Sequence, residues 1–275
     1  MLVLVDADLL VYRCGFASEK MHYTLEYVDP EYGDTVWDNY TSAKDCSLRE
    51  KELVAEGTAF TRTSLRVPEP ESHALANARS MTDDIVKSCP GEVRVVLSGT
   101  SNFRYEVATI KPYKGNRDKA EKPVHAPAIR NWLKRNFDTV VTDHEEADDY
   151  LGYTQCAAGP DESVIVSIDK DLKMIPGLHY DFLKSHWTEI TLAKADEFFW
   201  TQMLTGDSTD NIPGVPGIGP VRAKALLKGV PKKERYGVVR ASYVLGYGAA
   251  ADAALLENGR LLWIRRKEGE LWEPR

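Results

Sequence analysis

Glu145, Glu146, Asp148 and Asp149 fall within one short stretch, and Asp169 and Asp171 follow an apolar run at residues 164–168. Carboxylates this close repel one another, which a fold tolerates on a solvated face or around a bound cation. The apolar run reads as a buried strand, so Asp169 and Asp171 stand just beyond its carboxyl end, where open α/β sheets place their sites. Glu146 and Asp149, three positions apart on an expected helix, share a face, with Asp148 adjacent. Hard oxygen donors in this number suit Mg²⁺ or Mn²⁺. The competing account is a solvated helix N-terminus, which also favours acids. Farther along, GDSTDN adds Asp207 and Asp210 at i, i+3, and near the start VDAD places Asp6 and Asp8 after a short apolar run.

Cations flank this acidic centre. The chain carries a net charge of −7, yet residues 104–135 hold nine Lys and Arg against three acids, and residues 222–240 hold seven against one. Two basic blocks around a carboxylate cluster are the layout expected if metals hold phosphates at the centre and cations grip a backbone on either side. In the first block Tyr113 offers a ring to stack on a base, and Lys114 and Arg117 offer charge to a phosphate. Ahead of the second block runs PGVPGIG, with Gly214, Gly217, Ile218 and Gly219 before an expected helix at 220–228. Glycines let backbone N–H groups approach a phosphate, and a helix N-terminus adds positive potential. Arg222 and Lys224 lie in that helix's first turns. The plainer alternatives are a simple turn and ordinary solvated charge.

The elements that must position these residues alternate. Strands are expected at 2–5, 92–97, 138–142 and 163–168, with helices at 9–16, 71–89, 126–136 and 145–158 between them. That order predicts an α/β fold with a mainly parallel central sheet flanked by helices. Residues 17–70 predict a β-hairpin (23–28 and 35–40), a helix (42–56) and a strand (58–67). On the helix at 71–89, Leu75, Ala78, Thr82, Ile85 and Val86 mark the expected buried face. Further strands are expected at 178–183 and 187–192. Near residue 195 the pattern becomes helical: an amphipathic helix at 195–205, then 220–228, then one Ala-rich helix within 241–275. The expected division is a core over 1–194, with 17–91 as an insertion, and a helix-hairpin-helix region with tail over 195–275.

At 275 residues the chain can bury a full core, and its composition is that of an ordinary globular protein. No apolar run approaches membrane-spanning length, and the N-terminus lacks the charged flank of a signal peptide. Cys14, Cys46, Cys89 and Cys156 are scattered without a CxxC, which fits a reducing cytosol and argues against a zinc site or a disulfide framework.

Taken together, VDAD, FRYEVATIKPYKGNR, EADD, SIDKD, GDSTDNIPGVPGIG and RAKALL resemble, in that order, the 5′-nuclease family of phage 5′→3′ exonucleases, flap endonucleases and polymerase-type 5′-nuclease domains. The likeness covers residues 1–16 and about 92–228. It implies a PIN-like nuclease fold hydrolysing DNA phosphodiesters to 5′-phosphate products with two Mg²⁺ or Mn²⁺. It assigns metal binding to Asp6, Glu146, Asp148, Asp149, Asp169, Asp171, Asp207 and Asp210, of which Asp6, Asp148, Asp149, Asp169 and Asp171 join Lys114 and Arg117 in catalysis. It gives Tyr113 the terminal bases and the hairpin at 213–219, with Arg222 and Lys224, the duplex backbone, with K⁺ on hairpin carbonyls. It also implies a monomer acting on DNA with a 5′ end or flap, or on an RNA:DNA hybrid, in the cytoplasm, a host's if phage-encoded. One departure stands out: the family's acid after the second core strand is absent, and Ser98, Gly99, Thr100 and Ser101 occupy its place. The first metal site is then weaker, or completed by water or Asp8.

Two other readings compete. VDAD, the strand end at Ser98 and GDSTDN imitate a haloacid-dehalogenase-type phosphohydrolase, which would need Asp207 directly after a core strand and leaves EADD and PGIG without a role. A DNA-binding protein with a decayed nuclease site is the non-enzymatic alternative.

Overall fold

A computed structural model describes residues 1–117, 121–159 and 161–274. Asp118 and Lys119 of the first basic block lie outside the described residues. The elements run β1 (Leu2–Asp6), α1 (Ala7–Phe16), β2 (Glu19–Val28), β3 (Thr35–Tyr40), α2 (Ala43–Glu56), β4 (Phe60–Pro68), α3 (Glu71–Ser88), β5 (Glu92–Leu97), α4 (Arg104–Val107), α5 (Ala126–Asn136), β6 (Asp138–Val141), α6 (Ala147–Ala158), β7 (Ser163–Val166), β8 (Gly177–Asp181), β9 (His186–Ile190), α7 (Leu192–Thr205), β10 (Gly206–Asp207), β11 (Ile212–Pro213), α8 (Pro220–Leu227), α9 (Lys232–Tyr247) and α10 (Ala251–Leu262).

The main sheet has the order β6-β5-β1-β7-β8-β9. All neighbours are parallel except β9, which returns antiparallel to β8. Val3, Leu4 and Val5 of β1 and Val164, Ile165 and Val166 of β7 are buried, as apolar strands covered on both faces must be. Because β1 and β7 are adjacent, Asp6 and the segment 167–171 emerge at the same sheet edge.

The compact units do not follow the expected boundary at 194/195. Residues 1–10, 82–121 and 133–275 form one unit, and 11–81 with 122–132 form another. The C-terminal helices therefore share a unit with the sheet. The reason is packing: Phe199, Met203, Tyr243, Leu255 and Trp272 sit in one apolar cluster with Leu4, Leu151 and Ile165. A long helix over 232–247 stands where the sequence reading placed none, because its apolar positions (Val239, Tyr243) are diluted by Lys, Arg and Gly.

The second unit is built on the antiparallel sheet β3-β2-β4, as expected for residues 17–70. Ser42 caps α2 by accepting the Asp45 N–H, and Gly57 ends it in the left-handed region. Leu25 and Tyr27 of β2 bury against Cys46 and Leu53 of α2. On α3 the buried stripe is Ala74, Ala78, Thr82 and Ile85, extended by Cys89, while Val86 is exposed. The stripe is rotated from the expected one because the small Ala74, rather than Leu75, takes the innermost position. Among the described residues no helix is long and apolar enough to cross a membrane.

Candidate active site

The carboxyl edge of the parallel sheet collects the acids. Asp6 ends β1 and is buried, and its Oδ2 accepts the Ser167 hydroxyl at 2.7 Å. Ser167 Oγ in turn accepts the Asp169 N–H at 2.9 Å, and Asp169 Oδ1 accepts the Asp171 N–H at 2.8 Å. This chain of bonds shapes the turn after β7. On the other side, the Ser98 hydroxyl oxygen accepts the Ala147 N–H at 3.0 Å and fixes the start of α6. The Ser98 N–H donates to Asp8 Oδ2 at 2.9 Å. No acid stands at 98–101, but Asp8 is drawn to that strand end and its charge acts on Asp6.

Glu146, Asp148, Asp171, Asp207 and Asp210 line one small cleft of about 30 Å³ with Arg104, Tyr113 and Gln202. Asp207 reaches it from the two-residue ladder β10–β11 that follows α7, and Asp210 from the turn between those two strands. Segment 112–117 is tied onto this turn. The Lys114 N–H donates to Asp210 O at 2.9 Å, Asn116 Nδ2 to Ser208 O at 2.8 Å and Arg117 Nε to Thr209 O at 3.1 Å. Lys114 itself sits at φ 55°, where non-glycine residues are uncommon.

The electrostatics divide the acids into two groups. Burial pushes Asp6 up to about 7, with repulsion from Asp8 and Asp169 adding to it. Burial, then Asp169 and Asp207, push Asp171 up to about 7. Asp148 is raised well above the usual carboxylate range by burial and by Asp6, Asp169 and Glu146. Asp210 is also raised by burial, against the pull of Lys114 and Arg117. Two acids go the other way. Burial would raise Asp149, but the Arg104 guanidinium outweighs it and holds the carboxyl low. Burial of Asp207 is likewise overcome by Lys170 and by the Thr209 N–H.

Cations already occupy several carboxylates. Lys114 Nζ lies 2.5 Å from Glu146 Oε1, Arg117 Nη2 lies 2.5 Å from Asp210 Oδ1, and Lys170 Nζ lies 2.9 Å from Asp207 Oδ2. Among the described residues no three acid, imidazole or thiol groups converge closely enough to hold a metal ion as they stand. The donor set still fits one: several hard oxygen ligands, half-shielded from water, gathered around one small cleft.

Four expectations need correction. Asp149 does not face the acidic cleft. Its two oxygens accept from Arg104 at 2.6 and 2.9 Å, and the Arg265 N–H donates to it at 3.1 Å. Arg104, 2% exposed, also donates to Leu261 O and Trp263 O. The pair is an internal anchor between α6 and the C-terminal segment. Tyr113 is not available to stack on a base. It is 4% exposed, lies edge-on to Tyr105 and donates its hydroxyl to Asp210 at 2.9 Å. Tyr105, 57% exposed, is the open ring. Ile218 points inward, into the cluster with Val215, Ala223 and Leu227. Gly214 is required by internal packing, since a Cβ there would meet Gly206 N and Thr205 C at 2.2 Å.

The rest of the hairpin is open. Gly217 lies at φ 75°, and nothing approaches a Cβ built on it or on Gly219, the residue preceding α8. Arg222 and Lys224 are exposed on α8. A groove of about 770 Å³ runs past Lys111, Pro216, Gly217, Gly219 and Tyr247. Several carbonyls of the turn are engaged: Pro213 O by Asn258 Nδ2, Gly214 O by the Tyr247 hydroxyl, Val215 O by the Ile218 N–H and Gly217 O by Arg222 Nη1. Lys170, Gln202 and Arg104 were not singled out from sequence. Lys170 was visible as a cation between two acids, whereas Gln202 gave no signal.

The fold is shared with a solved structure. The T5 D15 protein co-crystallized with metal ions superposes over 94% of this chain and 87% of its own, with a TM-score of 0.58 and 17% identity. No protein-family model matches the sequence. The flap endonuclease Xni of Vibrio parahaemolyticus is 30% identical over 185 residues, 58% of this chain and 68% of that protein. The exodeoxyribonuclease of Enterobacteria phage T3 is 31% identical over 159 residues, which span 52% of each chain. The chain belongs to the 5′-nuclease family.

Two predictions follow from the geometry. Replacing Asp149 by Asn removes the enclosed counter-charge of Arg104 and leaves only Glu146, at 3.8 Å, to balance it, so unfolding in denaturant should show a loss of about 3 kcal/mol. A variant as stable as the wild type would return Asp149 to the cleft. The second concerns pH. A carboxyl whose pKa rises on folding stabilises the native state below its unfolded value and loses that contribution as pH rises through its folded value. With Asp6 and Asp171 at about 7, the melting temperature in EDTA should fall from pH 5 to pH 8. Buried His179, held below its usual range, acts with the opposite sign. Asp6→Asn should flatten the decline, and an unaltered profile in that variant would contradict the assignment.

Proposed function

We propose that this chain is a divalent-cation-dependent nuclease that hydrolyses DNA phosphodiesters at 5′ ends or flaps, leaving 5′-phosphate products. The observation that carries this is the cleft of mutually repelling carboxylates at the sheet's carboxyl edge with Lys114 and Arg117 laid across it. Asp6, Glu146, Asp148, Asp169, Asp171, Asp207 and Asp210 would hold two Mg²⁺ or Mn²⁺, with Asp8 supplying charge beside Asp6. When bound, such ions generate a nucleophilic water at neutral pH and stabilise the leaving oxygen.

The chain's own residues supply the rest. Lys114 and Arg117 now sit on Glu146 and Asp210; were those acids to hold metal, both cations would be available to a phosphate. Lys114 is a compact charge on a flexible stem, suited to a phosphoryl oxygen on which charge develops. Arg117, planar and forked, suits two oxygens of one phosphate. The Gly217–Gly219 turn and α8, with exposed Arg222 and Lys224, would offer a surface to the duplex backbone. The dehalogenase-type reading loses its basis, because Asp207 sits on β10 after α7 rather than on a core strand.

The test is cleavage of a 5′-labelled flap duplex in Mg²⁺ and in EDTA. Asp148→Asn should abolish cutting while DNA affinity in Ca²⁺ stays within about twofold, since cations and backbone contacts rather than this acid supply affinity. Lys114→Ala should slow single-turnover cleavage by roughly 10²-fold or more. Unaltered rates in both variants would place the chemistry elsewhere, and a wild type that binds DNA without cutting it would favour a non-catalytic binding protein.

The hairpin gives a separate test. Gly219 has ordinary backbone angles and free space around it, so Gly219→Val should fold normally yet hold a DNA backbone away. Duplex affinity should drop on unrelated sequences alike, because phosphate contacts carry no sequence information. Equal affinity for wild type and variant would make the turn purely structural.

A further inference from the structure

Gln202 lies in the last turn of α7 and is 6% exposed. It lines the acidic cleft with Asp171 and Asp207. Its Nε2 donates to Asp171 Oδ1 at 2.5 Å and approaches Asp207 Oδ2 at 3.4 Å. These two carboxylates fix the amide's orientation, since the reversed amide would set its oxygen against two anions. The oxygen is left over: Gln202 Oε1 is buried and has no hydrogen-bond partner among the described residues. A buried amide oxygen ordinarily finds a donor. Here the surroundings offer chiefly acids, and the nearby Lys170 is already spent on Asp207.

We propose that Gln202 Oε1 is a neutral oxygen ligand for a divalent cation held by Asp171 and Asp207. This rests on reading the cleft as metal-binding, and it adds a ligand outside the acidic motifs. A carbonyl oxygen is a hard donor of the kind such cations take alongside carboxylates. Being uncharged, it completes the coordination without adding to the repulsion that already raises Asp171. It comes from a rigid helix that leads directly into β10, so its position is coupled to that of Asp207.

The competing account is that Gln202 acts only through its N–H groups, as a strap holding Asp171 and Asp207. Mn²⁺ titration of the full chain, followed by calorimetry and by loss of the free-ion spin-resonance signal, separates the two. Gln202→Leu should weaken one class of Mn²⁺ site by about tenfold, a typical cost of losing a supporting group at a metal. Gln202→Glu keeps an oxygen donor and loses the N–H groups, so it should bind Mn²⁺ at least as tightly as the wild type. Leu behaving as wild type, or Glu binding no better than Leu, would overturn the proposal. The second result would assign Gln202 to the strap. Wild-type protein that takes up no Mn²⁺ would overturn this proposal together with the reading of the cleft, whereas normal wild-type uptake with an indifferent Leu variant would sink the proposal alone. Melting curves in EDTA confirm that each variant is folded.

Discussion

Repulsion among buried carboxylates is the constraint on which the rest of this structure turns. Asp6, Asp148 and Asp171 are pushed up by burial and then by the carboxylates around them, Asp169 among those, and nothing apolar could relieve that. The fold instead surrounds them with conditional partners. Lys114, Arg117 and Lys170 each reach an acid at the margin of the cluster while keeping part of their side chain in water. Arg117 and Lys170, the more solvated of the three cations, are cheaper to exchange than a cation enclosed with its partner. On the proposed function, a site that would accept cations and then a polyanion benefits from partners that leave easily.

Asp148 and Asp149 show how far one peptide step changes the outcome. The first faces other acids and gains proton affinity; the second faces Arg104 and loses it. A helix turns each successive side chain by about 100°, so neighbours in EADD look in different directions. The Arg104–Asp149 pair is fully enclosed, and its remaining donors satisfy Leu261 O and Trp263 O. A buried pair of this kind is costly to break, whichever way its net contribution falls. It serves as the fixed reference against which the exchangeable pairs move.

Much of this was legible beforehand. Strand-helix alternation and the apolar runs at 2–5 and 164–168 placed the sheet, and GDSTDN with PGIG placed the turn before α8. Periodicity could not say which of two adjacent acids faces the cleft, because that depends on where Arg104 lies, 45 positions away. Nor could it tell that Tyr113 and Ile218 turn inward, since an aromatic in a basic loop and an isoleucine between glycines read equally well as contact residues. Helix α9 escaped because its buried face is narrow, only Val239, Ser242 and Tyr243 among sixteen residues being buried. The unit formed by 11–81 and 122–132 was hidden for a different reason: its two pieces are separated in the chain, and linear reading joins only what is contiguous.

The clasp of Arg104 on the C-terminal segment has a consequence for the order of events during synthesis. Arg104 and Leu261 are 157 positions apart, and Asp149 and Arg265 are 116 apart. On a ribosome adding roughly 5–20 residues per second, the acidic helix emerges well before the carbonyls that complete its anchor. Until then Arg104 has too few acceptors and α6 lacks its attachment, so the cleft cannot take its final form. The final form of the cleft is thereby tied to synthesis of residues 261–265, and a chain cut short before them would have its acids assembled in sequence but not in space.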